Sequence, residues 1–125
     1  MSATTPLIQL KNIVLKFGDR AVLDGMTLAV RPRDRLVILG QSGSGKSTML
    51  RLILGILKPT RGEVLYRHLR VNRLRRSKLN RLRSHIGMVY QYSALISSLT
   101  VRENLALPLE ELTRKSQKEI DPMIE

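Results

Sequence analysis

Apolar and polar positions follow three rhythms along the chain, and each predicts a different kind of element. From Leu7 to Lys16 apolar residues alternate loosely with polar ones (Leu7, Ile8, Leu10, Ile13, Val14, Leu15), and beyond Phe17-Gly18-Asp19-Arg20 a second run extends from Ala21 to Arg31. Two strands joined by a turn are expected there. Asp24-Gly25 breaks the second run, and Arg31-Pro32-Arg33-Asp34 turns the chain again. The rhythm then changes: Leu36, Val37, Ile38 and Leu39 are continuously apolar, as in a strand buried on both faces of a parallel sheet. Ile86-Gly87-Met88-Val89-Tyr90 repeats that pattern and predicts a second buried strand, ending at Gln91. Glu63 to Tyr66 reads as a shorter strand.

Helical spacing is the third rhythm. Met49, Leu50, Leu52, Ile53, Leu54, Ile56 and Leu57 fall on all sides of a helix, which predicts one buried beneath a sheet. Lys58-Pro59-Thr60-Arg61-Gly62 should end it, because Pro59 cannot continue a helix and Gly62 supplies a turn. Val71, Leu74, Leu79 and Leu82 form a narrow stripe in a basic background, so a surface helix is expected around Leu74 to Arg83. Thr100-Val101-Arg102-Glu103 is a capping-box sequence opening a helix that Pro108 should interrupt. Arg114 to Glu125, polar with both signs of charge, looks like the start of a further helix. No internal repeat or low-complexity linker is present.

The run at Leu36–Leu39 feeds directly into Gly-Gln-Ser-Gly-Ser-Gly-Lys-Ser-Thr, in which Gly40, Gly45, Lys46 and Ser47 fit G-x-x-x-x-G-K-[ST]. Such a loop needs glycine because its backbone curls into a nest of N–H groups aimed at phosphate oxygens, where a Cβ would intrude. Gly43 adds further freedom. Lys46 can reach the outer phosphates as a mobile charge, and the Ser47 hydroxyl can ligate Mg²⁺ at the positive end of the following helix. Gly40, Ser42, Gly43, Ser44, Gly45, Lys46, Ser47 and Thr48 are therefore the candidate phosphate-binding set. The alternative, a glycine-rich turn that happens to carry Lys-Ser, does not account for the strand-loop-helix context.

Composition limits the scale of the answer. With 125 residues and 42% apolar content the chain can form at most one ordinary core, and a doubly wound P-loop fold usually needs more strands than are found here. An incomplete domain is expected. There is no cysteine, so disulfide and thiolate-metal frameworks are excluded. The longest apolar run, Leu52 to Leu57, is far short of the roughly 20 residues that span a bilayer, and Met1 to Lys11 lacks a signal-like pattern. A cytoplasmic location is expected. The net charge of +12 is concentrated: no Asp or Glu lies between Val64 and Arg102, while Arg67, Arg70, Arg73, Arg75, Arg76, Lys78, Arg81 and Arg83 crowd one segment. An anionic partner, whether lipid headgroup, nucleic acid or acidic protein face, would suit it, as would a simple solvated helix face.

Taken in order, the aromatic Phe17, the phosphate loop and the strand ending at Gln91 resemble the ATP-binding subunit of an ABC transporter. The match covers residues 1–125 as the amino-terminal part of one nucleotide-binding domain. It implies an α/β P-loop NTPase fold, an ABC-type ATPase core with amino-terminal antiparallel β strands. By that resemblance Phe17 is the aromatic that stacks on adenine, Gln91 is the glutamine that touches the catalytic Mg²⁺ and water, and Lys46 and Gln91 carry the catalytic roles. ATP and Mg²⁺ are the implied cofactors, with Ser47 and Gln91 at the metal. The implied partners are a transmembrane permease and, in a full-length parent, a second ATP-binding subunit; the location implied is the cytoplasmic face of a membrane. Leu99-Thr100-Val101-Arg102-Glu103-Asn104 is similar to the family's "LTVxEN" helix.

Departures from the family pattern carry equal information. Tyr66-Arg67-His68-Leu69-Arg70-Val71 lacks the acidic residue and glycine usual after the strand at Glu63. No LSGGQ-like signature, no apolar strand ending in Asp-Glu and no later histidine switch occurs, so the chain alone is expected to be inactive in hydrolysis. His68 and His85 look unremarkable. The stretch Tyr92-Ser93-Ala94-Leu95-Ile96-Ser97-Ser98-Leu99-Thr100, followed by Leu107-Pro108-Leu109-Glu110, resembles the ATPases of Mla-type lipid transport. There Ala94, Leu95, Ile96 and Leu99 would dock the permease, and the Arg-rich segment 67–83 would favour an anionic lipid surface, nucleic acid being disfavoured. The competing expectation is a non-catalytic polyanion-binding module with a vestigial P-loop.

Overall fold

A computed structural model describes residues 5–92 and 94–124. Ser93, predicted to follow the Gln91 segment, and Glu125, at the end of the last predicted helix, lie outside the described residues. The chain divides into two compact units, one ending at Ile86 and the other beginning at Gly87.

The first unit is built on a four-stranded antiparallel sheet in the order β2-β1-β3-β4, with β1 Ile8–Phe17, β2 Arg20–Val30, β3 Arg61–Tyr66 and β4 Leu69–Arg70. β1 pairs with β2 through Ile8↔Val30, Leu10↔Leu28 and Leu15↔Leu23, and with β3 through Leu10↔Val64 and Val14↔Arg61. The loose alternation of β1 has a local cause. Asn12 adopts φ 48° where the register shifts, so Leu10 and Ile13, three residues apart, both turn into the core. Thr27 holds the irregularity: its Oγ1 accepts from the Asn12 N–H (3.1 Å) and donates to Asn12 Oδ1 (3.2 Å).

Helix α1 (Lys46–Ile53) and helix α2 (Arg76–Arg83) pack on this sheet. The core joins Leu10, Ile13, Leu15, Leu23 and Val64 of the sheet with Met49 and Leu52 of α1 and Leu82 of α2. Burying a side chain such as Leu52 stabilises by about 2 kcal/mol relative to leaving it exposed. The predicted hairpin, the short strand at Glu63 and the helix near Leu74–Arg83 are all present.

Four expectations are corrected. Leu36–Leu39 forms no strand: the segment is unpaired, and its residues are exposed, Val37 by 78% and Leu39 by 88%. Ile86–Tyr90 likewise lies outside any sheet, with Val89 96% exposed. A ladder needs a neighbour to take its N–H and C=O groups, and no described strand lies beside either segment. Helix α1 is buried on one face only, since Leu50 is exposed, and it ends at Ile53 rather than at Lys58–Gly62. Gly55, at φ 64°, donates to the Leu52 carbonyl (3.0 Å) and Ile56 to that of Arg51 (2.8 Å), a Schellman closure that stops the helix before any proline is reached. Lastly, Pro108 does not interrupt its helix.

That helix belongs to the second unit, which comprises α3 (Val101–Leu112) and α4 (Gln117–Ile124). Pro108 removes a single N–H donor from α3, and the turns on either side continue through it. The capping box forms in both directions, Thr100 N–H to Glu103 Oε2 (2.6 Å) and Glu103 N–H to Thr100 Oγ1 (3.2 Å). Arg102 bridges to Asp121 of α4 at 2.9 Å, and Ala106 and Ile120 are buried.

Candidate functional site

The glycine loop arrives from the unpaired segment 35–39 and runs straight into α1, whose first residue is Lys46. Gly43 stands at φ 79° and Gly45 at φ 92°, both in the left-handed region that L side chains avoid. Space is also limiting at Gly45, where an added Cβ would lie 2.9 Å from Leu23 Cδ2 and 3.3 Å from the Val22 carbonyl oxygen. At Gly40 it would meet Ser44 Oγ at 2.7 Å. The loop is thus seated on β2 through Gly45 and folded tightly on itself through Gly40.

Its electrostatics follow from the helix end. Gly45 has no side chain with which to cap α1, the first turn carries no acidic residue, and the first helical bond is Met49 N–H to the Gly45 carbonyl (2.9 Å). The N–H groups of Lys46, Ser47 and Thr48 therefore sit at the positive end of a helix without a capping side chain, a natural anion site. The Lys46 ammonium donates to the carbonyl oxygens of Gly40 (2.6 Å) and Gln41 (2.7 Å) and to Ser44 Oγ (3.3 Å). Those acceptors hold the positive charge over the loop itself. Ser47 is exposed at the first turn and Thr48 half-buried. Nest, ammonium and hydroxyl fit a di- or triphosphate with its Mg²⁺.

Of the other expected site residues, Phe17 ends β1 and is 54% exposed. It pairs with Arg20, two residues along β2 from the Val22 carbonyl that contacts Gly45. Ser42 is exposed on the loop. Gln91 is exposed in a bend of the second unit, on neither a helix nor a strand.

Three contacts lie outside the site residues expected from sequence. Arg83, expected as one more member of the basic segment, caps α1: Nε donates to the Leu54 carbonyl (2.9 Å) and Nη2 to that of Gly55 (3.1 Å). Asn104 fastens the segment before α3, with Oδ1 accepting from the Ile96 N–H (2.7 Å) and Nδ2 donating to the carbonyls of Ile96, Leu99 and Thr100. Ser116 N–H and Oγ both donate to Glu119 Oε2 (2.8 Å each), and here the Ser-x-x-Glu spacing was a signal that could have been used.

Comparison with known proteins gives the following. The ABC transporter family profile matches residues 23–125. The methionine import ATP-binding protein MetN of Mesorhizobium japonicum is 39% identical over 108 residues, 86% of this chain and 30% of that protein. The intermembrane phospholipid transport system ATP-binding protein MlaF of Haemophilus influenzae is 38% identical over 107 residues, 86% of this chain and 40% of that protein. Among solved structures, the ATP-binding cassette MJ0796 in a dimeric post-hydrolysis state bound to ADP and Pi superposes with a TM-score of 0.82 and 36% identity, covering 94% of this chain and 53% of that one. The chain spans about half the length of that cassette, and less than half of the two curated relatives.

Proposed function

Because the chain belongs to the ABC transporter family, we propose that it is the amino-terminal part of an ATP-binding subunit, holding the nucleotide phosphates for a machine that couples ATP hydrolysis to transport. The observation that carries this is the loop itself: Gly43 and Gly45 at positive φ, the latter seated against β2, and a helix start without a capping side chain at Lys46. Gly43, Gly45, Lys46 and Thr48 would hold the phosphates, Phe17 the base, and Ser47 with Gln91 the metal. When bound, Mg²⁺ neutralises developing charge on the outer phosphate oxygens. The residues of this chain bind and orient. The strands that would pair with Leu36–Leu39 and Ile86–Tyr90, and the carboxylates of the hydrolytic step, belong in this proposal to the half of the family domain that the chain does not span. We therefore expect weak Mg²⁺-ATP binding and negligible hydrolysis by the chain alone. Calorimetry with Lys46→Ala should show affinity reduced by about tenfold or more, the scale of a lost charge-assisted bond; equal affinity in variant and parent would overturn the proposal.

For the transport subclass, MetN and MlaF relatives are both similar, and the segment after Gln91 decides our preference for lipid transport. Of the four expected docking residues Leu95 is 61% exposed and Ala94 and Ile96 are exposed with it, which supports a docking patch, while Leu99 is half-buried. Asn104 would hold that patch in shape. Placed in a full-length parent with its permease on the cytoplasmic side of a membrane, Leu95→Asp should weaken complex assembly and lipid transfer, and unchanged values for both would remove the subclass. A polyanion-binding module is the second reading, favoured by the exposed Arg73, Arg75, Arg76, Lys78 and Arg81. Its affinity would fall steeply with salt, unlike that of a nucleotide held in a backbone nest.

A further inference from the structure

Both histidines of the chain, unremarkable in sequence, line one cleft of about 450 Å³ in the first unit. On one side stands the β3–β4 turn with Arg67 and His68, and on the other Lys78, Arg81 and His85 from α2 and its end. Tyr66 and Leu82 contribute apolar surface. Among the described residues no carboxylate lines the cleft, and Glu63 of β3 is already paired with Arg70 at 3.3 Å. Among the described residues the side chains of Lys78 and Arg81 have no hydrogen-bond acceptor, so three formal positive charges surround a small volume with no counter-charge within its lining. Such an arrangement opposes itself and favours an anion in its midst.

Backbone conformation adds an independent observation. Tyr66 pairs with Leu69, leaving Arg67-His68 as a two-residue hairpin loop, and Arg67 adopts φ 54°. Glycine or asparagine is the usual occupant of such a position, and a bulky side chain there is unfavourable. The strain places an arginine at the rim, its guanidinium 5.8 Å from the centre of the Tyr66 ring. Across the cleft, His85 Nδ1 lies 2.7 Å from the Arg81 carbonyl oxygen, which can only accept. That contact puts the proton on Nδ1.

We propose that this cleft binds a phosphate ester, with the phosphoryl oxygens taken by Arg67, Lys78 and Arg81 and the organic body resting on Tyr66 and Leu82. The site is separate from the glycine loop and stands whether or not that loop binds nucleotide. It is tested in a Lys46→Ala background, so that the loop contributes little. Since the chain has two histidines and both line the cleft, their imidazole proton resonances report on it directly. The probes are glycerol 3-phosphate, vesicles of phosphatidylglycerol in phosphatidylcholine, and vesicles of phosphatidylcholine alone. Shifts with glycerol 3-phosphate support a soluble ester. A response to the phosphatidylglycerol vesicles alone supports a lipid headgroup. In either case Lys78→Gln/Arg81→Gln should weaken binding by about tenfold or more, Arg67→Gly should weaken it without harming the turn, and the pair Arg114→Gln/Lys118→Gln, which does not line the cleft, should leave it unchanged. Unmoved resonances with all probes, equal affinity in the cleft variants, or equal weakening by the Arg114/Lys118 pair would each overturn the proposal.

Discussion

At the scale of single residues, the two loop glycines at positive φ make different demands. Gly43 needs only its left-handed backbone, with no atom within 4 Å of an added Cβ, whereas Gly45 needs the same conformation and the space beside Leu23 and Val22. Gly43→Ala should cost about 1 kcal/mol from conformation alone, and Gly45→Ala about 2–3 kcal/mol as strain and overpacking add. Denaturant midpoints of the two variants, compared with the parent, check the order. These residues were legible in the sequence because a requirement for positive φ and close approach is written in the residue type itself. Arg83 and Asn104 were not. Their side chains carry no local signal of their partners, which are fixed only when α1 meets α2 or when the 96–100 segment folds back on α3.

Elements were legible where their bonds are local. The hairpin, the capping box and α2 depend on neighbours in sequence, while Leu36–Leu39 and Ile86–Tyr90 depend on a ladder that no described strand supplies. Correct periodicity there described what the residues suit, not what pairs with them. In the second unit the helix starts are held by exposed carboxylates. Hydrogen bonds from the Thr100 backbone and hydroxyl hold Glu103 below the ordinary carboxylate value, and those from Ser116 do so for Glu119. The Gln117 amide, then Arg102, lower Asp121. A carboxylate with a lowered folded value stabilises above its unfolded value and ceases to as pH falls through the folded one. Helicity of 101–124, followed by circular dichroism or residue-resolved NMR, should therefore hold at neutral pH and decline below about pH 4. Thr100→Ala should cost about 1 kcal/mol and make the acid decline shallower.

For the whole molecule, the antiparallel sheet with its loop and helix emerged as expected, and the family assignment agrees with it. The apolar surface of residues 36–39 and of Val89, Tyr90 and Tyr92 is left uncovered by any described strand. Such surfaces associate. Light scattering after size exclusion should show mass rising with protein concentration, and a monodisperse monomer with one sharp melt would contradict this. The strand order also sets a timetable for folding. β1 meets β2 across Gly18-Asp19, but it meets β3 only after segment 31–60, which contains the glycine loop and all of α1. Closing the longer excursion costs about 2 kcal/mol more entropy than the tight turn, so the hairpin forms in microseconds and the third strand docks afterwards. The phosphate nest, which lies inside that excursion, is expected to take shape after the hairpin. A bound nucleotide would then do little to hasten folding and would act chiefly by slowing the escape from the native state.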